Sequence, residues 1–242
     1  MTKRFKAVFF DFMGTCLDWH SSVLQSWPSS IPRDEASKFT LEWRRQYFIE
    51  NNARFLQNLP PENIDITLDR VLESILDRLP QHTAIFDAST KQKMIDAWHS
   101  QSAWPEVQEA IRSVRQDFGL EVFVHANGTS RLQLDLCRSS GLKFDMLFSS
   151  QLLNLYKPNL EAYRKALDLI DAKAEEVLMV AAHAYDLRAA KEVGMKTIYI
   201  HRWTDDIDED MVEVKNEFDV FLEGMQNLPD AIKKVSGGSQ EI

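Results

Sequence analysis

Residues 177–200 read VLMVAAHAYDLRAAKEVGMKTIYI, an apolar run at Val177–Val180, a helical stretch over 186–193 closed by Gly194, and a second apolar run at Thr197–Ile200. Short apolar runs without polar alternation fit strands buried on both faces. A helix between two such runs serves as the crossover that parallel strands require. The same alternation continues outward. Upstream lie a helix over 159–170, the run Met146–Phe148, and a helix carrying Leu132, Leu134 and Leu136 that ends at Gly141. Before these come Val122–Val124 and a helix with Val107, Ala110, Ile111, Val114 and Phe118 at three- and four-residue spacing, stopped by Gly119. Downstream the last strand is Val220–Leu222, and the tail, 236–242, reads as frayed. The pattern predicts an α/β fold with a doubly wound, mostly parallel sheet.

Ala7-Val8-Phe9-Phe10 is a further buried strand, but no helix and strand follow it at the usual spacing. Residues 19–101 are instead helical, with Phe39, Trp43 and Tyr47 four apart, then Leu68, Val71, Leu72, Ile75, Leu76 and Leu79, and Pro60-Pro61 breaking the block near its middle. We read this block as a helical cap inserted into the α/β core. The core is then 1–18 and 102–235, with hinges near Leu17–Trp19 and Ser102–Pro105. The Trp43/Tyr47 stripe is expected to be cap core.

Open parallel sheets bind ligands beyond the carboxyl ends of their strands, where the strand order reverses. At those ends the sequence sets Asp11-Phe12-Met13-Gly14-Thr15, Asn127-Gly128-Thr129, Tyr156-Lys157-Pro158 and Ala181-Ala182-His183-Ala184-Tyr185-Asp186. A carboxylate in a glycine turn, an amide, a lysine and a second acid thus converge from distant parts of the chain.

Composition narrows the function. In 242 residues, 28 Lys+Arg stand against 37 Asp+Glu, a formal charge of −9, which disfavours nucleic acid as a partner. Two cysteines, Cys16 and Cys137, are too few for a disulfide framework or a thiolate metal site. The absence of any 18-residue apolar run predicts no membrane span, and the start leads into a strand without a signal-peptide core, so a cytoplasmic protein with a small-molecule substrate is expected. His20, His82, His99 and His201 lack metal-ligand spacing. The acidic run Asp205-Asp206-Asp208-Glu209-Asp210 is read as a solvated loop.

The ordered set of strand-end motifs resembles the haloacid dehalogenase superfamily, in particular its L-2-haloacid dehalogenase (type II) branch, and its wording is most similar to fungal members. Asp11, Gly14 and Thr15 match the first motif, Ala126-Asn127-Gly128 the second, Tyr156-Lys157-Pro158 with Tyr163 the third, and Asp186 the fourth; Trp43-Arg44 matches the branch's cap motif. The resemblance implies an Asp11 nucleophile that displaces a halide from the 2-carbon of a small organic acid through an ester. Lys157 would be its charge partner and Asp186 with His183 the pair that places water. Arg44 with Asn127 would hold the substrate carboxylate or the halide, and Thr15, Tyr163, Tyr185 and Met13 would complete the substrate pocket. It admits a homodimer.

Phosphatases of the superfamily hold Mg²⁺ on two further acids, where this chain has Met13 and Ala182. Neither side chain offers the hard oxygen that Mg²⁺ demands, so no metal and no other cofactor is expected. Within the branch, Ala126 and Ala181 stand where serines are common, Met13 where a tyrosine is usual, and His183 where an asparagine usually helps place water. His183 is expected to titrate near neutrality. Two alternatives stay open: an acid-catalysed isomerase or cyclase using a protonated Asp11, for example on an epoxide, and a non-enzymatic binding protein on the same scaffold.

Overall fold

The apolar runs become the strands of one six-stranded sheet, all parallel. The computed structural model describes residues 5–78 and 85–237. Its strands are β1 (Ala7–Phe10), β2 (Leu17–Asp18), β3 (Ser102–Ala103), β4 (Glu121–Ala126), β5 (Met146–Ser149), β6 (Val177–Ala181), β7 (Lys196–Ile200) and β8 (Val220–Leu222). Its helices are α1 (Trp19–Leu24), α2 (Arg33–Leu56), α3 (Ile64–Leu76), α4 (Ala88–Asp96), α5 (Val107–Gln116), α6 (Ser130–Ser140), α7 (Ser150–Leu153), α8 (Leu160–Leu169), α9 (Ala184–Val193), α10 (Met211–Glu217) and α11 (Leu228–Val235). The expected frayed tail lies mostly outside the described residues, as do Leu79 and His82.

The sheet order is β5-β4-β1-β6-β7-β8. Along β1, Val8 and Phe10 join one apolar cluster and Ala7 and Phe9 the other, because successive side chains of a strand point to opposite faces. Helices α5 and α11 cover the first face through Val107, Ile111, Val114, Leu228 and Ile232. Helices α8 and α9 cover the second through Ala162, Ala166, Leu187 and Ala190. This is the doubly wound arrangement that the alternation predicts. The chain order reverses between β1 and β6, so the crevice beyond Phe10 and Ala181 is the expected ligand position.

The chain leaves the sheet at β2 and returns at β3, and these two pair antiparallel, Leu17 with Ala103 and Asp18 with Ser102. Between them run α1 to α4. Trp43 is fully buried and meets Trp98 edge-on at 5.2 Å, while Trp19 stacks on Trp98 at 5.6 Å. Trp43 Nε1 donates to the Leu68 carbonyl at 2.9 Å, satisfying the one polar atom its burial would otherwise strand. Leu68, Val71, Leu72 and Ile75 line up on α3 and are buried, as their spacing requires. The same apolar cluster extends from these helices to the Val8 face of the sheet.

Gly14 turns the chain after β1 with φ of +89°, and a Cβ there would lie 2.6–2.7 Å from the carboxylate of Asp205. Conformation and close approach both require glycine. Gly14→Ala is expected to lower the unfolding free energy by roughly 1–3 kcal/mol. A urea denaturation midpoint equal to that of the wild type would contradict this account.

Candidate active site

Asp11 follows β1 directly. Its backbone N–H donates to the Val180 carbonyl at 3.0 Å, which fixes the residue at the junction of β1 and β6. Thr15, across the turn, donates to Asp11 Oδ2 at 2.7 Å and accepts from the Ala182 N–H at 2.8 Å, tying the turn to the end of β6.

Lys157 reaches the same carboxylate from the loop before α8. Its ammonium donates to Asp11 Oδ1 at 2.9 Å, to the His125 carbonyl at 2.8 Å and to Asp186 Oδ2, which uses all three of its N–H bonds. Asn127 holds the lysine backbone from both sides, accepting from its N–H at 2.8 Å and donating to its carbonyl at 3.0 Å. Asp186 is fully buried in the first turn of α9, and its Oδ1 accepts from the Tyr163 hydroxyl at 2.5 Å.

His183 stands on the other side of Asp11, its Nδ1 3.1 Å from Asp11 Oδ2 and its Nε2 3.0 Å from Asp205 Oδ1. Asp205 accepts further bonds from Trp19 Nε1 at 3.1 Å and Thr204 Oγ1 at 2.7 Å. A histidine between two carboxylates is best satisfied as an imidazolium donating to both.

Burial works to raise the Asp11 pKa, but Lys157 and His183 outweigh it and hold the carboxyl well below the usual range. Burial likewise opposes a charged His183, and Asp11 and Asp205 reverse this, pushing its pKa up to about 10. Lys157 is also raised, its desolvation overcome by Asp11 and Asp186. Asp186 goes up, through burial and the nearby charge of Asp11.

Arg44 enters from α2. Its guanidinium donates to Met13 Sδ at 3.0 Å and to the Met13 carbonyl at 3.3 Å, and lies 4.5 Å from the centre of the Phe48 ring. Among the described residues no carboxylate pairs with it directly, and its buried Nε has no partner. Two adjoining cavities meet here. The inner one, about 30 Å³, touches Asp11, Met13 and Ala126; the outer one encloses about 370 Å³. Arg44, Phe48, Asn51, Asn127, His183 and Tyr185 line both.

The expected residues thus gather at one place, but four expectations change. His183 and Asp186 do not form a pair; they approach Asp11 from opposite sides, one directly and one through Lys157. Thr15 and Tyr163, expected as substrate contacts, line neither cavity and support Asp11 and Asp186 from behind. His183 does not titrate near neutrality, because two carboxylates hold its proton. The acidic run is not simply a solvated loop. Asp205 is buried on His183, and Asp206 is held by the Ala184 N–H and the Tyr199 hydroxyl. Asp205 could have been found by the strand-end rule, since it follows β7 by five residues. Phe48 was legible as the residue one helical turn beyond Arg44.

The sequence matches the haloacid dehalogenase-like hydrolase family over residues 5–194. It is 26% identical to (S)-2-haloacid dehalogenase 1 of a Pseudomonas species over 204 residues, 81% of this chain and 85% of that one. It is 25% identical to (S)-2-haloacid dehalogenase 4A of Burkholderia cepacia, over 84% and 85% of the two chains. A crystal structure of an L-2-haloacid dehalogenase superposes with a TM-score of 0.81 at 26% identity, covering 94% of this chain and 98% of that one. These relatives bear out the resemblance to the superfamily and to its L-2-haloacid dehalogenase branch. No helix among the described residues is long and apolar enough to cross a membrane.

The shifted groups fix a pH dependence of stability. Asp11, lowered on folding, stabilises the protein above its ordinary pKa near 4, and that contribution is lost as pH falls. His183, raised to about 10, stabilises it fully below pH about 6.5, and this is lost as pH rises towards 10. Melting temperatures are expected to decline from pH 6.5 to 10 in the wild type and to decline less in His183→Asn. Parallel curves would show that another group carries the alkaline loss.

Proposed function

The chain belongs to the haloacid dehalogenase-like hydrolases, and on that premise we propose that it displaces a halide from the 2-carbon of a small organic acid through an ester on Asp11, without a metal ion. One observation carries the reading: the Asp11 carboxyl is buried between the Lys157 ammonium and the His183 ring, with its Oδ1 bonded once and its Oδ2 twice. A carboxylate oxygen has two lone-pair sites, so Oδ1 keeps one free for attack. The helices between β2 and β3 act as a cap that delivers Arg44 over this acid.

In the first step Oδ1 bonds to the 2-carbon as the carbon–halogen bond breaks. The halide leaves with the bonding pair, and backside attack inverts the carbon. Arg44, with no carboxylate of its own, receives the substrate carboxylate. Asn127 keeps one N–H beyond its bond to Lys157 and can direct it at the same group. In the second step water attacks Cγ of Asp11, and the acyl–oxygen bond breaks to release the 2-hydroxy acid. Esterification removes the Asp11 charge, so His183 keeps Asp205 alone as a charged partner and releases its Nδ1 proton to solvent water in the outer cavity more readily. Neutral Nδ1 then takes the proton of the attacking water and returns it to the departing 2-oxygen, and His183 is recharged from solvent as the Asp11 carboxylate re-forms. Asp186 lines no cavity and acts through Lys157, holding the ammonium on Asp11.

The donor set does not fit Mg²⁺. Met13 and Ala182 offer no oxygen from their side chains, and Lys157 and His183 set two basic groups against Asp11 that would repel a further cation there. Among the described residues no group of three or more His, Cys, Asp or Glu could hold a metal ion. Acid-catalysed rearrangement is disfavoured because it needs a protonated Asp11, which both neighbouring cations oppose. Free Cys16 and Cys137 support a reducing cytoplasmic setting.

In a single turnover with a 2-halo acid in ¹⁸O water, the label is expected in Asp11 and not in the product, with chelator making no difference. Direct labelling of the product would overturn the ester route. Asp11→Asn is expected to lower kcat by about a thousandfold or more. Asp205→Asn is expected to lower it by about a hundredfold and to make the ester accumulate, read as a mass increase of the intact protein. A slowed variant without accumulated ester would place Asp205 outside the second step.

A further inference from the structure

The inner cavity at Asp11 is small, about 30 Å³, with room for little more than a water molecule or two. Most of the enclosed space lies in the outer cavity, whose roughly 370 Å³ falls within the range of pockets that take drug-sized ligands. A two- or three-carbon acid seated on Arg44 would leave it mostly unfilled.

Leu41, Phe48 and Phe55 recur every seven residues along α2 and so form one stripe along its wall. Ile49 beside the stripe and Ile207 from the loop after β7 are 48% and 53% exposed, large apolar groups left in water at the mouth. The charges of this cavity are spent on each other or on neighbours. Arg45 pairs with Asp208 at 3.0 Å, and Glu209 pairs with Arg188 at 2.7 Å. Arg44, at the inner end, is the cation without a carboxylate. The site therefore offers one anion receptor beside Asp11 and, behind it, a chamber with a largely apolar surface whose rim charges are already engaged.

We propose that the outer cavity is a subsite for an apolar chain or ring, so that the substrate is a 2-substituted monocarboxylic acid with a body of about six to ten carbons. The inference rests on the reading of Asp11 given above and names the substrate class for it. A second carboxylate or a phosphate on the tail would meet no free cation, and a polyol would face mainly aliphatic and aromatic walls.

The test is a series of 2-bromo acids from propionate to decanoate, run beside calorimetric binding of the unreactive 2-methyl acids of the same lengths. kcat/KM and affinity are each expected to rise about fourfold per methylene until the chamber is filled. Affinity that stays flat or falls with length overturns the subsite, whatever the turnover. Affinity that rises while every bromo acid is left intact keeps the subsite and overturns the reaction assigned to Asp11. Ile49→Glu, at a half-exposed position, is expected to cut the ratio of long-chain to short-chain affinity by about tenfold; an unchanged ratio counts against the subsite. The wild-type series decides the matter if that variant does not fold.

Discussion

Three N–H bonds of a single ammonium group organise this molecule's interior. Lys157 joins Asp11 after β1, the carbonyl of His125 on β4 and Asp186 on α9, so the ends of three neighbouring strands meet at one nitrogen. Without that charge Asp186 would be a buried acid with no cation beside it and Asp11 would keep His183 alone, a situation that costs about 3–5 kcal/mol. The lysine is kept in place by Asn127, whose amide engages its backbone at both ends. The motif resemblance assigns Asn127 to anion binding. The structure adds this bracing task, and it accounts for an amide here, because an amide carries its donor and its acceptor on separate atoms, one for the carbonyl and one for the N–H of Lys157.

The second cation, His183, changes the electrostatic character of the pocket. Three acids, Asp11, Asp186 and Asp205, lie close to three bases, Lys157, His183 and Arg44, in a space walled on one side by the rings of Trp19, Phe48 and Tyr185. An asparagine at 183 would supply hydrogen bonds without charge, and Asp205 would then lose its ionic partner. Charge balance thus explains why a buried aspartate sits in the loop after β7, a feature that composition alone reads as solvent-facing.

Much of this was legible in the sequence, for identifiable reasons. Buried parallel strands are continuous apolar runs, so β1, β4, β6 and β7 announced themselves, and the strand-end rule led directly to Asp11, Asn127, Lys157 and Asp186. Trp43 and Arg44 stood out by adjacency. Directions of side chains were not legible. Nothing in the residue order tells that Tyr163 points at Asp186 instead of at the pocket, or that His183 faces Asp11. Asp205 was hidden by its neighbours, since five acids in six positions look like one surface feature when they divide into buried and exposed members. The turn at Gly14 was seen as a motif, but its second reason, the Asp205 carboxylate pressed against it, exists only in three dimensions.

That contact carries a consequence for redesign. Asp205 touches Gly14 and bonds to Trp19 and His183, so its side chain is constrained by three separated stretches of the chain at once. Replacing Asp205 alone would leave an imidazole with one acceptor missing, and replacing His183 alone would take from a buried anion the cation it faces. The two positions have to be exchanged together.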